Sequence, residues 1–331
     1  MKRHLTYIMF ETILLLAYFS LAVNLYVHAS DAPYIAFSSN RDWNYDIYMM
    51  DIKGKNLQNL TNSPTHEFQP TFSPDGHRMA YVSSRHDGYL EIYVMNLSTK
   101  VSHRLTHHPK HDANPAWSPD GRWIAFDSNR QGKYDIYKIE PDGENLQRLT
   151  HEGQDNYNAA WSPDSKFIAF GSFRGAGKSG IYIMDAEGRN PRCLENQPRS
   201  GNTPAWSPDG KQIAFSDMVL GNRDILLMPD RNIYTVNVDG SDLRQRTRHP
   251  ADDLAPVWSL DGKSIVYFSV WNQKSDIYLI EGGFGRHGGQ LTRHPANDED
   301  PTWVPTGFFP VSPTAETQTT LWGRLKQSAH D

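Results

Sequence analysis

A seven-residue segment recurs six times at nearly constant spacing, and this repeat constrains the fold more than any other feature of the chain. Its clearest copy is Pro-Ala-Trp-Ser-Pro-Asp-Gly at residues 115–121. The aromatic residue of the six copies falls at Phe72, Trp117, Trp161, Trp206, Trp258 and Trp303, with intervals of 45, 44, 45, 52 and 45 residues. A period of roughly 20–50 residues indicates a solenoid, a propeller or a similar array.

Three further patterns keep the same phase as the aromatic residue. Each unit holds an apolar triplet such as Ile124-Ala125-Phe126, an Ile-Tyr pair and a Leu-Thr pair or a close variant. Ser-Pro-Asp-Gly favours a tight turn because Pro presets φ, Asp caps the backbone and Gly accepts positive φ. Each unit therefore predicts four short antiparallel strands, the blade of a β-propeller. The six units together predict an all-β, six-bladed propeller of four-stranded antiparallel blades.

The two ends of the repeat complete one another. The first unit starts at its apolar triplet, Ile35, without a Pro-x-Trp strand, and the last Pro-x-Trp strand, at Trp303, has no triplet after it. We expect the C-terminal strand to join the N-terminal blade, because an open ring would leave an unpaired sheet edge. This closure predicts one propeller domain over residues 31–304 and a disordered tail over residues 305–331.

The first thirty residues differ in character from the repeats. Lys2 and Arg3 precede a mostly apolar run that ends in Val27-His28-Ala29, the small-x-small pattern of a signal-peptidase site. This pattern predicts that residues 1–30 are an export signal and that the protein is periplasmic or extracellular. The alternative is an uncleaved membrane anchor over residues 5–27, a run about long enough to span a bilayer. Glu11 favours cleavage, since a carboxylate is costly within lipid.

Charge, cysteine content and motifs exclude several classes of protein. The chain has 33 Lys and Arg against 38 Asp and Glu, and no local basic patch of the kind that nucleic acids require. Its one cysteine, Cys193, excludes an intrachain disulfide framework, and we expect it to be a small buried residue. The sequence contains neither Gly-x-Ser-x-Gly nor His-Glu-x-x-His. We expect a monomer without catalytic activity or a cofactor.

Polar residues precede each inner strand. The residues five positions before the aromatic are Glu67, Asp112, Asn156, Gly201, Asp253 and Asp298. We expect them to ring the mouth of the axial channel. They represent either ordinary polar loop composition or an electronegative funnel for a cationic partner. In the second interpretation, Glu67, Asp112, Asn156, Asp253 and Asp298 bind the partner, and the same ring of oxygen atoms could hold Ca²⁺.

Candidate metal ligands stand one position further back, where His66, His111, Asp155 and Asp252 offer nitrogen and oxygen donors.

A second set of charges recurs with the blades. Arginines follow the apolar strand and acidic residues precede the Ile-Tyr pair, and we expect them to form ion pairs across that hairpin. The arginines are Arg41, Arg85, Arg130 and Arg174, and the acidic residues are Asp46, Glu91 and Asp135.

The fifth unit carries an insertion. Its aromatic Phe215 and its Ile233 are 18 positions apart, where the other units have 10 or 11. Insertions in repeat proteins fall in loops, often on the binding face. We expect the insertion to form a partner-binding lip that includes Met218 and Leu220, or to extend a strand.

The repeated x-Pro-x-Trp-Ser-Pro-Asp-Gly-x-x-Ile-Ala-Phe, followed by Asp-Ile-Tyr and Leu-Thr, resembles the repeat of the TolB-type six-bladed propellers, a WD-like bacterial family. The resemblance covers about 270 of the 331 residues. It implies a cell-envelope scaffold that binds a protein or cationic peptide, such as an envelope lipoprotein, at the channel mouth. The family's namesake carries an α/β domain ahead of its propeller, whereas here the first repeat directly follows the signal-like segment. The alternative, from another class, is a metal-assisted polysaccharide lyase or hydrolase with its site in the channel.

Overall fold

The computed structural model describes residues 33–305, apart from residue 87 and residues 176–178, 196–200, 219–230 and 283–287, and it describes Met218 by its backbone alone. One compact unit spans Tyr34–Phe308. The predicted export signal and the predicted tail lie outside the described residues, apart from residue 305. Within the described ranges there is no helix long and apolar enough to cross a bilayer.

The described residues form 24 strands. In chain order they are β1 (Tyr34–Ser39), β2 (Asp46–Asp51), β3 (Gln58–Asn59), β4 (Glu67–Phe72), β5 (Arg78–His86), β6 (Tyr89–Asn96), β7 (Ser102–Arg104), β8 (Asp112–Trp117), β9 (Ile124–Gln131), β10 (Lys133–Ile139), β11 (Gln147–Arg148), β12 (Asp155–Trp161), β13 (Phe167–Phe173), β14 (Gly180–Asp185), β15 (Arg192–Cys193), β16 (Asn202–Trp206), β17 (Gln212–Met218), β18 (Arg231–Asn237), β19 (Arg244–Gln245), β20 (Asp252–Trp258), β21 (Ser264–Trp271), β22 (Lys274–Glu281), β23 (Gly289–Gln290) and β24 (Asp298–Trp303).

Hydrogen bonds join these strands into six four-stranded antiparallel sheets, which are the blades of a propeller. Blade 1 has the order β24-β1-β2-β3, and blades 2 to 6 each use four consecutive strands, starting at β4, β8, β12, β16 and β20. The all-β, six-bladed architecture predicted from the repeat is therefore confirmed.

The C-terminal strand closes the ring as predicted. In β24, Trp303 pairs with Ile35 of β1, and Asp298 pairs with Ser39 at the other end of the same ladder. Beyond the strand, the Val304 N–H donates to the carbonyl of Tyr34 at 2.9 Å. Because β24 covers the edge of β1, blade 1 has the same four strands as the other blades.

The Ser-Pro-Asp-Gly segments form the turns between the first and second strands of the blades. In blade 3, the Gly121 N–H donates to the Ser118 carbonyl at 2.9 Å, and Gly121 has a φ of 74°. The Ser118 hydroxyl donates to Asp120 and accepts from the Trp123 N–H. The aspartate is thus a turn residue, as expected. We call this end of the propeller the turn face.

Apolar packing lies between blades rather than within them. The core cluster that contains Ala125 and Ile136 of blade 3 also contains Trp161 and Phe170 of blade 4, and the other interfaces repeat this arrangement. The Trp161 indole donates to the Ala116 carbonyl of the preceding inner strand at 3.1 Å. Burying a large apolar side chain contributes about 1.5–3 kcal/mol, so the ring is stabilised at each interface.

The first strands of the six blades surround an axial cavity of about 570 Å³. These inner strands start at the end opposite to the turn face. Asp112, at the start of β8, pairs with Ser128 near the end of β9, so the hairpins between second and third strands lie at this end as well. We call it the mouth face.

Candidate functional site

The carboxylates predicted to ring the channel mouth are buried within the blades. Glu67, Asp112 and Asp298 are the first residues of β4, β8 and β24, so they belong to strands rather than loops. Their side chains, with those of Asn156 and Asp253, are at most 1% exposed. The expectation of an exposed acidic ring is therefore wrong, and direct contact of these five residues with a partner stays a prediction.

Three of these carboxylates are covered by arginines of their own blades. In blade 3, Arg130 lies 2.9 Å from Asp112, donates its Nε–H to Ser128 and stacks over the ring of Tyr137. The equivalent ion pairs are Arg41–Asp298 at 2.9 Å and Arg85–Glu67 at 3.0 Å, with the arginines over Tyr48 and Tyr93.

This pairing determines the electrostatics of the mouth. Burial raises the pKa of the Glu67 and Asp112 carboxyls, while Arg85 and Arg130 act in the opposite direction. Glu67, Asp112 and Asp298 each lie beside a positive charge, so these three positions do not form the predicted electronegative funnel.

The expected arginine partners were also wrong. Asp46, Glu91 and Asp135 accept hydrogen bonds from Thr61, Thr106 and Thr150, which follow the outer strands. Glu91 and Asp135 also pair with arginines of those outer strands, Arg104 and Arg148. Arg41, Arg85 and Arg130, at or just beyond the ends of the second strands, instead reach back to the inner strands.

Blades 4 to 6 depart from this arrangement. In blade 4 the inner position is Asn156, and Arg174 pairs with Glu152 at 2.5 Å while lying over Tyr182. Blade 5 has Gly201 at the inner position, and blade 6 has Trp271 where the arginine stands elsewhere.

The four candidate metal ligands hold neighbouring blades together. His66 Nδ1 accepts the Tyr45 N–H at 3.2 Å, and His111 Nδ1 accepts the Leu90 N–H at 3.1 Å. Asp155 and Asp252 accept the N–H groups of Tyr134 and Arg231 in the same way, as Asn297 accepts that of Ser275. The structure thus places these residues at five separate blade interfaces and does not bring them together as a metal site.

Within the described residues, one acidic group has ligand atoms within 4.8 Å of each other: Glu140, Asp142 and Glu144. It lies between β10 and β11 on the turn face, and its side chains serve the local turn: Asn145 donates to Glu140, and the Glu144 N–H donates to Asp142. The group is therefore explained by turn geometry.

Sequence reasoning missed a ring of left-handed residues in the inner strands. Three positions before each aromatic, φ lies between 49° and 56°, and the strand register shifts at the same place. These β-bulges carry Gln69, Asn114, Asn158, Thr203, Ala255 and Asp300, which line the axial cavity. The polar bias of this column was the available signal, since Asn and Asp tolerate this conformation.

Hydrogen bonds connect this ring from blade to blade. Gln69 Oε1 accepts the Asn114 N–H at 2.9 Å, and the buried Asp127 carboxylate accepts the Asn158 N–H at 2.9 Å. Asp127 also accepts from the Asn114 amide, and Asp300 accepts from the Ser38 hydroxyl. The channel wall is a satisfied polar network.

Two carboxyls of this network have perturbed acidity. Burial raises the pKa of Asp127 to about 7. Burial, assisted by the nearby charge of Glu299, raises that of Asp300 to about 6. Both oxygens of Asp127 accept hydrogen bonds from N–H groups.

Exposed aromatic side chains concentrate on the mouth face. Of the five exposed aromatic residues in the described part of the chain, four lie in hairpins between second and third strands, and Phe167 lies at the opposite end. The four are Trp43 (99% exposed), Tyr89 (37%), Phe173 (64%) and Trp271 (47%). Trp43 also has a φ of 76°, which is unusual for a bulky residue.

Two remaining predictions concern single residues. Met218 pairs with Arg231, which extends β17 and β18 into the insertion of the fifth blade. The Met218 side chain, Leu220 and the rest of the predicted lip lie outside the described residues. Cys193 is exposed, not buried as expected, because β15 is a two-residue outer strand with solvent on one side.

A family model described as "TolB beta propeller domain" matches residues 27–176 and 160–285. A curated relative, a "Protein TolB homolog" of Chlorobium chlorochromatii, is 48% identical over 40 residues, which are 12% of this chain and 9% of the relative's length.

Solved structures share the fold. TolB from Acinetobacter baumannii aligns over 83% of this chain and 67% of its own, with a TM-score of 0.71 and 22% identity. A protein described as putative TolB from Agrobacterium tumefaciens aligns over 85% of this chain and 99% of its own, with a TM-score of 0.60 and 21% identity. At these identities the likeness shows the architecture alone.

Proposed function

The chain belongs to the TolB β-propeller domain family, and on that premise we propose that it is an exported scaffold that binds a protein or peptide partner on its mouth face. The observation that carries the proposal is the placement of Trp43, Tyr89, Phe173 and Trp271 in corresponding hairpins of that face. Trp and Tyr dominate binding hot spots because they bury large areas with little loss of side-chain freedom.

Trp43 is the residue we expect to contribute most. Its side chain is almost fully exposed and its backbone is left-handed. A bulky residue in this conformation costs of order 1 kcal/mol, and such costs cluster at functional sites. The fold gains little from Trp43, which supports a role in contact with another molecule.

The axial cavity supplies a second element of the binding surface. Its volume of about 570 Å³ lies in the range of about 300–1,000 Å³ that is usual for ligand sites. Its wall combines inner-strand prolines, such as Pro70 and Pro115, with the polar bulge residues. Such a wall suits a peptide segment that enters the mouth and packs against the prolines.

The buried ion pairs revise the expected chemistry of the partner. Since Glu67, Asp112 and Asp298 are paired with arginines, attraction of a cationic peptide by these carboxylates is not the main source of affinity. Aromatic and apolar contacts are then the main source of affinity. A protein of the cell envelope, such as a lipoprotein, is a suitable partner. Residues 1–30 support export to the periplasm or the cell exterior.

The alternative function, a metal-assisted polysaccharide lyase or hydrolase in the channel, gains less support. Such a site needs several donors converging on one ion. Among the described residues, His66, His111, Asp155 and Asp252 each accept a backbone N–H at a different blade interface.

The test compares the two faces of the same molecule. Affinity capture from envelope extract uses wild-type protein and two double variants, Trp43→Ala with Trp271→Ala on the mouth face and Leu57→Ala with Leu146→Ala on the turn face. Leu57 and Leu146 are each 46% exposed, so the control removes exposed apolar side chains from the opposite face.

We expect a partner that wild-type protein and the turn-face variant retain equally, and that the mouth-face variant loses by at least about tenfold, since hot-spot truncations cost about 2 kcal/mol or more. Equal retention by all three proteins would contradict the proposal. Capture that depends on a chelatable metal, with a glycan in the eluate, would favour the alternative.

A further inference from the structure

A cavity of about 290 Å³ opens on the mouth face between blades 4 and 5, separate from the axial cavity. Its wall is formed by the first residues of β12, the last residues of β13, the start of β14 and the start of β16. Asp155, Tyr157, Phe173, Ser179 and Asn202 contribute side chains.

At this cavity, three repeat positions that carry side chains in the other five blades are glycines. Gly171, Gly180 and Gly201 all line it. The positions equivalent to Gly171 in the other blades are Ser38, Val82, Asp127, Ser216 and Phe268. Those equivalent to Gly180 are Asp46, Glu91, Asp135, Asn232 and Asp276. Those equivalent to Gly201 are Glu67, Asp112, Asn156, Asp253 and Asp298.

Most polar groups around the cavity already have partners within the fold. Asp155 accepts from Lys133 and from the Tyr134 N–H. The Ser172 hydroxyl donates to Asn156, and Asn202 Oδ1 accepts from Asn158 and the Thr203 N–H. A ligand that needs many new hydrogen bonds, such as a sugar, therefore finds few groups available to it.

Aromatic surface remains available. Phe173 is 64% exposed. Tyr157 lines the same cavity from the neighbouring strand β12 and is held by a ring contact with Tyr134 at 5.0 Å between centroids. A volume at the lower limit for ligand sites accepts a group about the size of one side chain. A pair of aromatic rings is more stable than the burial of their apolar area alone would make it.

We infer that this cavity binds a single aromatic side chain, presented by the partner that the mouth face engages. The inference rests on the proposed function for the source of that side chain. The pocket itself is a property of blades 4 and 5, and a blocked amino acid is enough to detect it.

The experiment measures ¹⁹F NMR line broadening of N-acetyl-4-fluorophenylalanine amide by the full-length protein. N-acetyllysine amide and N-acetylglucosamine serve as competitors. Phe173→Ala removes the exposed aromatic wall. Gly171→Phe introduces the residue that blade 6 carries as Phe268 and disrupts the cavity wall, because a Cβ at Gly171 would lie 2.6 Å from Asn202 Oδ1. Phe167→Ala is the matched control, an aromatic residue that is 44% exposed on the turn face, at the other end of the same strand β13.

We expect Phe173→Ala to weaken binding roughly two- to tenfold, Gly171→Phe to abolish it and Phe167→Ala to leave it unchanged. Neither competitor displaces the probe. Equal binding by wild type and Phe173→Ala, or displacement by the sugar, overturns the inference. If Gly171→Phe unfolds by circular dichroism, the Phe173→Ala result decides alone. Because no partner is needed, failure here is distinct from failure of the capture experiment.

Discussion

Arg130 Nη2 donates hydrogen bonds to both carboxylate oxygens of Asp112, at 3.0 and 2.9 Å, across the hairpin between β8 and β9. Both side chains are largely buried, so removing the arginine leaves a buried charge without compensation. We expect Arg130→Met to lower the free energy of unfolding by about 3–5 kcal/mol in urea denaturation.

The matched control for this pair is Arg174→Met. Its partner Glu152 is 46% exposed, and water can replace the arginine. We expect a cost of about 1 kcal/mol or less. Equal losses for the two variants would show that the burial of the carboxylate is not what matters.

Interblade hydrogen bonding gives a second prediction, at His111. Its Nδ1 accepts the Leu90 N–H, and Asn297 performs the same task for Ser275 in another blade. His111→Asn keeps an acceptor at this place, whereas His111→Leu removes it. We expect the leucine variant to be less stable than the asparagine variant by about 1 kcal/mol in thermal unfolding. If the two melt together, the hydrogen bond is not a source of stability.

The pH dependence of stability tests Asp127. Its pKa of about 7 in the folded protein lies above the ordinary value of 3.8, because burial disfavours the charged form. The folded state therefore binds more protons between those values, and the stabilisation, complete at low pH, is lost as the pH rises towards 7. We expect Asp127→Asn to remove this decline, which has a slope of at most about 1.4 kcal/mol per pH unit.

The measurement is urea unfolding of both proteins at several pH values between about 2 and 8, a range that covers both carboxyls. Asp164→Asn is the control with the opposite sign, because the hydrogen bond from Ser162 lowers the pKa of that exposed carboxyl. Its stabilisation is present at neutral pH and lost on acidification. Parallel profiles for wild type and Asp127→Asn would contradict the assignment.

Closure of the ring gives a fourth prediction. Trp303 is buried between β1 and blade 6, and its indole donates to the Val257 carbonyl at 3.2 Å. Trp303→Ala should cost about 3–5 kcal/mol of unfolding free energy through loss of burial and a new cavity. Trp271→Ala, at a half-exposed position, should cost less than about 1 kcal/mol. Calorimetry that shows similar effects would contradict this view of closure.

The architecture was predictable because it depends on features that repeat. The six aromatics and the incomplete end units, Ile35 and Trp303, determine the blade number and the closure without any side-chain geometry. The turn aspartates followed from local chemistry, since Ser118 and Asp120 interact within four residues.

The ion pairs were not predictable for a physical reason. Whether Arg130 meets Asp112 or Asp135 depends on the register of β8 against β9, and that register shifts at the bulge on Asn114. Asparagine suggests such a conformation without requiring it. The sequence shows the three glycines of blades 4 and 5. That they line one cavity could be known only from the way the strands of the two blades are arranged.

The hydrogen-bonded contact between β24 and β1 also has a consequence in time. Blade 1 needs residues from both extremes of the repeat array, so β1 to β3 cannot gain their inner strand until β24 is present. Blades 2 to 6 each use consecutive strands and can pack on one another, yet the ring closes only when β24 pairs with β1.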